Sequence, residues 1–447
     1  MIIMNDARVR VNKYWIKLNV FPSNEFLEGN CSIDLSVKRK GELEVILNRG
    51  LRVLSVTSQG KEVPFTQLVS SFDDLDLKVN SVRIDVDSSR NVLEIRYEGE
   101  IRPYEKTFNY VKDHISEEYT LIRPDSFSYP IIGALNFLEL LDAILSQSFD
   151  YRVRVSVPEG YVVANLGELK YKRRKDDLIE YVYESKFPSW RIDIAIGNFD
   201  VISSSDGEIL IFSMKEDARH ASRILNHTKA ALDFYVSKFG RPVTWKGYTI
   251  IEIPSGWGGQ ADVCGILLSR DVFVDPRRVR NLYHEIAHLW NVRSRDRSRF
   301  LDEGFASYFQ VLAEKNILGA DLDQLLERTR AKISEMCEKT PVLEDTPLFK
   351  YGEYKLTDAS YFLGVWILHI LNSIVGEKCF EEIIRRFLRE FKDGAELEDF
   401  MEVSKEVSGK NLDRFFEDWF FTTRGLKYLL KGLSEEEIVN KYLIRYQ

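Results

Sequence analysis

Near residue 215 the hydrophobic pattern of this 447-residue chain changes period, and no other feature constrains the architecture as much. Before that point apolar residues alternate or cluster in short β-branched runs, at 14–21 (YWIKLNVF), 31–37 (CSIDLSV), 43–48, 51–56, 82–86 and 92–97. Further runs follow at 151–157, 178–185 and 190–202, with turn chemistry between them at Glu28-Gly29-Asn30, Pro158-Glu159-Gly160 and Asp206-Gly207. A period of two puts successive side chains on opposite faces, so this stretch predicts strands of an antiparallel saddle or sandwich. Residues 216–239 then carry apolar positions at helical spacing and stop at Gly240, with Pro242 beyond. Strands are expected at 248–254 and 266–274, a glycine-rich stretch at 255–265, and helix almost throughout from Arg277. The expected fold class is α+β and multidomain. An N-terminal antiparallel β domain covers 1–204, a mainly helical domain 205–425, and an amphipathic helical tail, docked on its own domain, 426–447.

Composition narrows the function. A net charge of -8 argues against a nucleic-acid partner. The start, MIIMNDARVR, reaches a charge at Asp6 and offers no apolar signal-peptide core. The longest apolar run, 361–371, is too short to span a bilayer. Cysteines at 31, 264, 337 and 379 are scattered without a CxxC pair, which predicts buried, reduced thiols. These features together predict a cytoplasmic protein with neither a nucleic-acid nor a membrane partner, and leave its oligomeric state open.

The chemistry is carried by His284-Glu285-Ile286-Ala287-His288. Residues four apart share one face of a helix, so both imidazoles can reach a single ion while Glu285 projects beside it. Zinc held this way polarises a water, and the intervening carboxylate takes its proton as general base. Leu282, Ile286, Ala287 and Leu289 suit a buried helix. A gluzincin site takes its third ligand, a glutamate, from the next helix, and Glu303 in Leu301-Asp302-Glu303-Gly304-Phe305-Ala306 is well placed. The charged stretch 293–299 (RSRDRSR) reads as the turn between two antiparallel helices. His288 is then expected about one turn before the first helix ends, and Glu303 about one turn into the second.

The segment 301–308 (LDEGFASY) resembles the "WLxEGFAxY" of the M1 aminopeptidase family, and the likeness extends along most of the chain. Tyr97-Glu98-Gly99 resembles that family's "YxG", Val157-Pro158-Glu159-Gly160-Tyr161 its "VPxGY" and Ala195-Ile196-Gly197-Asn198-Phe199 its "AxGxF". Leu232-Asp233-Phe234-Tyr235 and Asn411-Leu412 with Phe415, Phe416 and Trp419 fall in the same order. The resemblance implies a thermolysin-like catalytic domain, one zinc per chain and a peptide substrate cleaved at its N-terminus. It also implies an oxyanion-binding tyrosine. Ser360-Tyr361-Phe362-Leu363-Gly364 matches the "PYxKG" position, which makes Tyr361 the candidate, with Tyr351 and Tyr354 as competitors.

Two departures stand beside the likeness. The family's "GxMEN", whose glutamate grips the substrate amine, is matched here by Gly258-Gly259-Gln260-Ala261-Asp262, with alanine in the glutamate's place. Asp262 is the one carboxylate there, so Gly258, Gly259, Gln260 and Asp262 are the candidate substrate-binding residues. The spacing from His288 to Glu303 is also shorter than the family's. Locally, His288-Leu289-Trp290-Asn291-Val292-Arg293 is similar to the "HxWNVK" of M61 glycyl aminopeptidases. The reading is a zinc metallopeptidase of aminopeptidase type; the open alternative is a zinc-binding scaffold acting through protein interaction. Arg293, Arg295, Arg297 and Arg299 read as a solvated turn, with a carboxylate-binding rim as the alternative. The basic run 170–175 reads as a solvated hairpin. His114, His220, His227 and His369 lack ligand spacing.

Overall fold

Alternation in the first two hundred residues does build sheets. The computed structural model describes residues 9–87, 89–242, 244–392 and 394–443. Residues 1–8, where the lack of a signal peptide was read, lie outside them, as do 444–447. By compactness the chain divides into a unit of Met1–Leu225 with Lys246–Val274 and a unit of Asn226–Trp245 with Asp275–Gln447. This cut differs from the sequence-pattern boundaries at 205 and 426, because the strands between 199 and 269 stay with the β-rich unit.

In the first unit an eight-stranded sheet runs Glu168–Lys175, Leu178–Glu184, Asp150–Pro158, Val9–Phe21, Phe26–Val37, Arg90–Gly99, Leu51–Ser58 and Lys61–Glu62. Every neighbouring pair is antiparallel except Val9–Phe21 beside Asp150–Pro158. A four-stranded sheet holds Ile131–Ile132, Gly41–Leu47, Lys78–Val86 and Phe65–Ser71; a three-stranded one holds Val162–Asn165, Ile194–Gly197 and Tyr119–Ile122. The alternation sorts side chains as expected. Leu27, Cys31, Ile33 and Leu35 of Phe26–Val37 are all buried, and burying each such side chain is worth about 1.5–3 kcal/mol. A mixed five-stranded sheet orders Phe199–Ser203, Ile209–Met214, Tyr248–Ile253, Gly265–Ser269 and Gln260–Asp262.

Four details differ from expectation. Gly29, read as a turn, lies inside Phe26–Val37 opposite Tyr97, and a Cβ there would fall 2.3 Å from the tyrosine ring. The glycine makes room for an aromatic neighbour rather than for a bend. The run 190–202 is two short strands in different sheets, parted at Asn198. Residues 266–274 begin as a strand, but Ser269 Oγ accepts from the Asp271 amide and the chain turns into a helical segment, Arg270–Val274. The helix Phe137–Ser146 was missed, although Asn136 caps it by accepting from the Glu139 amide at 3.0 Å.

A buried ion network braces this unit. Arg123 pairs with Asp113 at 2.8 Å, Arg191 with Asp193 and Asp125 at 2.7 Å, and Arg123 also donates to the Gly258 carbonyl. Glu252 is a different case. Burial, with Asp217 nearby, pushes its carboxyl up to about 8, although the Met214 amide donates to it at 2.7 Å. Between its ordinary 4.5 and 8 the folded chain holds this proton more tightly than the unfolded chain does, so stability falls as pH rises through that window. Glu252→Gln keeps an acceptor for the amide and removes the ionisation. It is expected to raise the calorimetric Tm by roughly 3–8 °C at pH 9 and to leave it unchanged at pH 4, a split that a merely packed glutamate would not give.

The second unit is helical, as the pattern from Arg277 predicts. Beside the larger part of Ala218–Phe239, its longest members are Phe305–Leu318, Leu322–Lys339, Ala359–Val375, Glu377–Glu390 and Leu397–Ser408. Ala359–Val375 contains the apolar run 361–371 and is buried nearly all round, which is what an all-apolar helix in a protein core requires. No helix among the described residues is long and apolar enough to cross a membrane. In the tail, Glu435–Leu443 buries Ile438 and Val439, and Glu435 pairs with His369 at 2.9 Å and accepts from Ser373 at 2.6 Å. Cys31, Cys264 and Cys337 are buried free thiols and Cys379 a half-buried one.

Candidate metal centre

The helix Val279–Ala287 carries His284 and Glu285, and its Leu282, Tyr283, Ile286 and Ala287 are buried. It is pinned from behind by Tyr235, which donates to the Tyr283 carbonyl at 3.0 Å, and by Trp290, whose Nε1 donates to the Gly240 carbonyl at 2.8 Å. The α-helix ends at Ala287, so His288 is not one turn inside it as expected but opens a tighter turn, His288–Trp290. Both imidazoles still fall on one side, with ring centroids 5.0 Å apart.

Glu303 is set by an unusual stretch of backbone. Arg297 and Arg299 adopt left-handed φ values of 60° and 62°, each costing a non-glycine residue about 1–2 kcal/mol. A single π-helical turn, Phe300–Gly304, follows and leads into Phe305–Leu318, so Glu303 lies just before that α-helix. Such turns and strained residues cluster at functional sites. Ser294 accepts from the Leu301 amide, and Ser360 donates to the Ser298 carbonyl at 2.6 Å. Two glycines then let the helix Ala359–Val375 approach: a Cβ on Gly364 would fall 2.4 Å from Cα of Gly304. Tyr361, about one turn earlier on that helix, is thereby brought to Glu303.

The ligand atoms of His284, His288 and Glu303 all lie within 4.8 Å of one another. Glu303 Oε2 is 3.1 Å from His284 Nε2 and 3.7 Å from His288 Nε2. A tetrahedral zinc with ligands at about 2.1 Å separates neighbouring ligand atoms by about 3.4 Å, so the set fits such an ion with the fourth position left to water or substrate. Tyr361 stacks on His284 with centroids 5.6 Å apart and planes 12° off parallel. Of its competitors, Tyr351 is buried and Tyr354 is half exposed to solvent.

The charges suit a cation. Burial works against the Glu303 carboxylate, but the hydrogen bond from His284 and the charges of His288 and Arg299 hold it down at about 2. Burial, with the charge of His284, pulls His288 down to about 4, leaving a lone pair for a metal at neutral pH. Burial also pushes up the Glu285 carboxyl, helped by the negative charge of Glu303, and the Tyr361 phenol. A carboxyl raised in this way is a better proton acceptor once ionised.

Two neighbours were not singled out from the sequence. The Asn291 amide lies 2.5 Å from Nδ1 of His288 and 3.3 Å from the Asp302 carbonyl. A histidine ligating through Nε2 carries its proton on Nδ1, and turning the amide over gives that proton an acceptor at the cost of the longer contact. An asparagine three residues after the second histidine was the available signal. Arg299, read as part of a solvated turn, pairs with Glu303 and lies 5.9 Å from the Tyr361 ring centroid. In the first unit, the Gly258 amide donates to the Tyr110 carbonyl at 3.0 Å, and a Cβ on Gly259 would fall 2.8 Å from the Leu267 carbonyl oxygen. Gln260–Asp262 pairs with Gly265–Ser269. Asp262 accepts from Ser189 Oγ at 2.7 Å and from the Val263 amide at 2.8 Å, and burial pushes its carboxyl up to about 6.

Comparison with known proteins places this geometry. The model of the Peptidase family M1 domain matches residues 223–419. A leucyl aminopeptidase of Saccharolobus solfataricus is 22% identical over 438 residues, covering 92% of this chain and 53% of the relative. Probable aminopeptidase 2 of Sulfurisphaera tokodaii is likewise 22% identical, with 92% and 53% covered, so the chain spans about half the length of these relatives. An M1 zinc metallopeptidase from Deinococcus radiodurans has the same fold, with a TM-score of 0.65 at 17% identity over 96% of this chain and 95% of that one. Yeast LTA4 hydrolase gives 0.68 at 16% identity, over 94% and 68%. The matched region holds His284, His288 and Glu303, and along nearly its whole length the chain has the fold of M1 zinc metallopeptidases.

Proposed function

We propose that the chain is a zinc-dependent metallopeptidase that removes N-terminal residues from short peptides, with one zinc held by His284, His288 and Glu303. The observation that carries this reading is the trio of ligand atoms within 4.8 Å, with Glu285 between the two histidines and Tyr361 stacked on one of them. Zinc would supply Lewis acidity, polarising the peptide carbonyl and acidifying a water. Glu285 takes that water's proton and returns it to the leaving amine. The Tyr361 hydroxyl donates to the oxyanion as charge develops there. A cytoplasmic setting suits the four unpaired cysteines.

In this reading the segment Gly258, Gly259, Gln260 and Asp262 binds the substrate, and Asp262 takes the place of the missing amine-gripping glutamate. One observation favours the second reading, a zinc-binding scaffold without turnover: the Asp262 carboxylate already accepts two hydrogen bonds within its own unit. Peptide assays with the zinc-loaded protein separate the two. Acetylating the N-terminus of a good substrate is expected to abolish cleavage. Asp262→Asn is expected to slow cleavage of free peptides by about 30- to 150-fold, the loss of a 2–3 kcal/mol charged hydrogen bond. Equal rates on free and acetylated peptides would point to an endopeptidase, and no cleavage of either to the scaffold.

A further inference from the structure

We propose that Arg299 is the positioning residue of the metal centre, holding one carboxylate oxygen of Glu303 so that only the other faces the two histidines. The inference rests on the zinc reading above. Oε2 of Glu303 lies 3.1 Å from His284 and 3.7 Å from His288, while Oε1 is paired with the Arg299 guanidinium. A carboxylate tethered in this way can offer a metal a single oxygen, in one orientation. Released, it can rotate out of the site or close on the ion through both oxygens. The guanidinium is confined in turn, since it lies near the Tyr361 ring and 3.8 Å from Asp302.

The backbone makes the side chain's presence informative. Arg299 sits at φ 62°, where glycine is unstrained and asparagine nearly so, and its own carbonyl accepts from the amides of Glu303 and Gly304. Those backbone bonds need no side chain, so conformation alone gives no reason for arginine here. What the arginine adds is the contact to Glu303. Arg297, at φ 60°, is a matched control because glycine relaxes the backbone there as well.

The test is zinc affinity of the metal-free protein, measured by competition with a chromophoric chelator, with thermal melts of each metal-free variant. Arg299→Gly is expected to melt no lower than the wild type yet bind zinc about 10- to 100-fold more weakly. Arg299→Lys, which restores a charge without the guanidinium fork, is expected to fall between the two. Arg297→Gly is expected to bind within about threefold of the wild type, since its side chain has no part in this tether. Wild-type affinity in Arg299→Gly overturns the proposal, as does an equal loss in Arg297→Gly. Should Arg299→Gly fail to fold, Arg299→Lys decides: the visible spectrum of its cobalt derivative should depart from the wild type's, and an unchanged spectrum with unchanged affinity overturns the proposal. A wild-type protein that binds no zinc overturns the underlying site instead, and that outcome is read before any variant.

Discussion

Replacing Glu285 by glutamine is expected to leave zinc bound and the chain folded while lowering kcat by about a hundred- to ten-thousandfold. The substitution keeps the shape of a side chain on the ligand helix between His284 and His288, so neither imidazole is disturbed. It removes the one property the proposed reaction needs from this position, an anionic oxygen that can take a proton. Burial and the charge of Glu303 already raise the affinity of this carboxyl for a proton, and an amide has none to speak of near neutrality. Zinc content by elemental analysis and steady-state kinetics on one preparation check the expectation. Wild-type turnover would remove Glu285 from the chemistry and leave the metal site standing.

Tyr361→Phe is expected to reduce kcat and kcat/KM together, by roughly a hundredfold, with little change in KM. Phenylalanine keeps the ring that stacks on His284 at 5.6 Å, so the ligand orientation survives and only the hydroxyl is lost. In the proposed reaction that hydroxyl meets negative charge on the substrate mainly in the transition state, and an interaction made there alone appears in kcat rather than in KM. The buried phenol keeps its proton far above neutral pH, as a hydrogen-bond donor must. A change confined to KM would make Tyr361 a substrate-binding or packing residue.

Much of the architecture was legible because burial imposes a period. Alternation marked six strands of the eight-stranded sheet, all but Lys61–Glu62 and the basic Glu168–Lys175, and the loss of alternation near 215 marked the start of the helix Ala218–Phe239. That His284 and His288 fall on one side was legible for the same reason, since four residues is about one helical turn. Features that depend on a partner distant in sequence were not. Gly29 reads as a turn until Tyr97 is seen opposite it. The polar stretch 293–299 has no period at all, so nothing in it distinguished Arg299, which reaches Glu303, from the arginines around it. Tyr361, which stacks on His284, was picked out through family resemblance rather than pattern, because a tyrosine in an apolar helix is ordinary. Its place beside the ligands depends on the close approach of Gly304 and Gly364, sixty residues apart in the chain.

The proposed reaction needs one zinc ion at His284, His288 and Glu303. Purified protein, loaded with zinc and freed of excess by gel filtration, should carry one zinc per chain by elemental analysis, and the His284→Ala/His288→Ala double variant should carry none. A full complement of zinc in the double variant, or none in the wild type, would contradict the site and the reaction built on it.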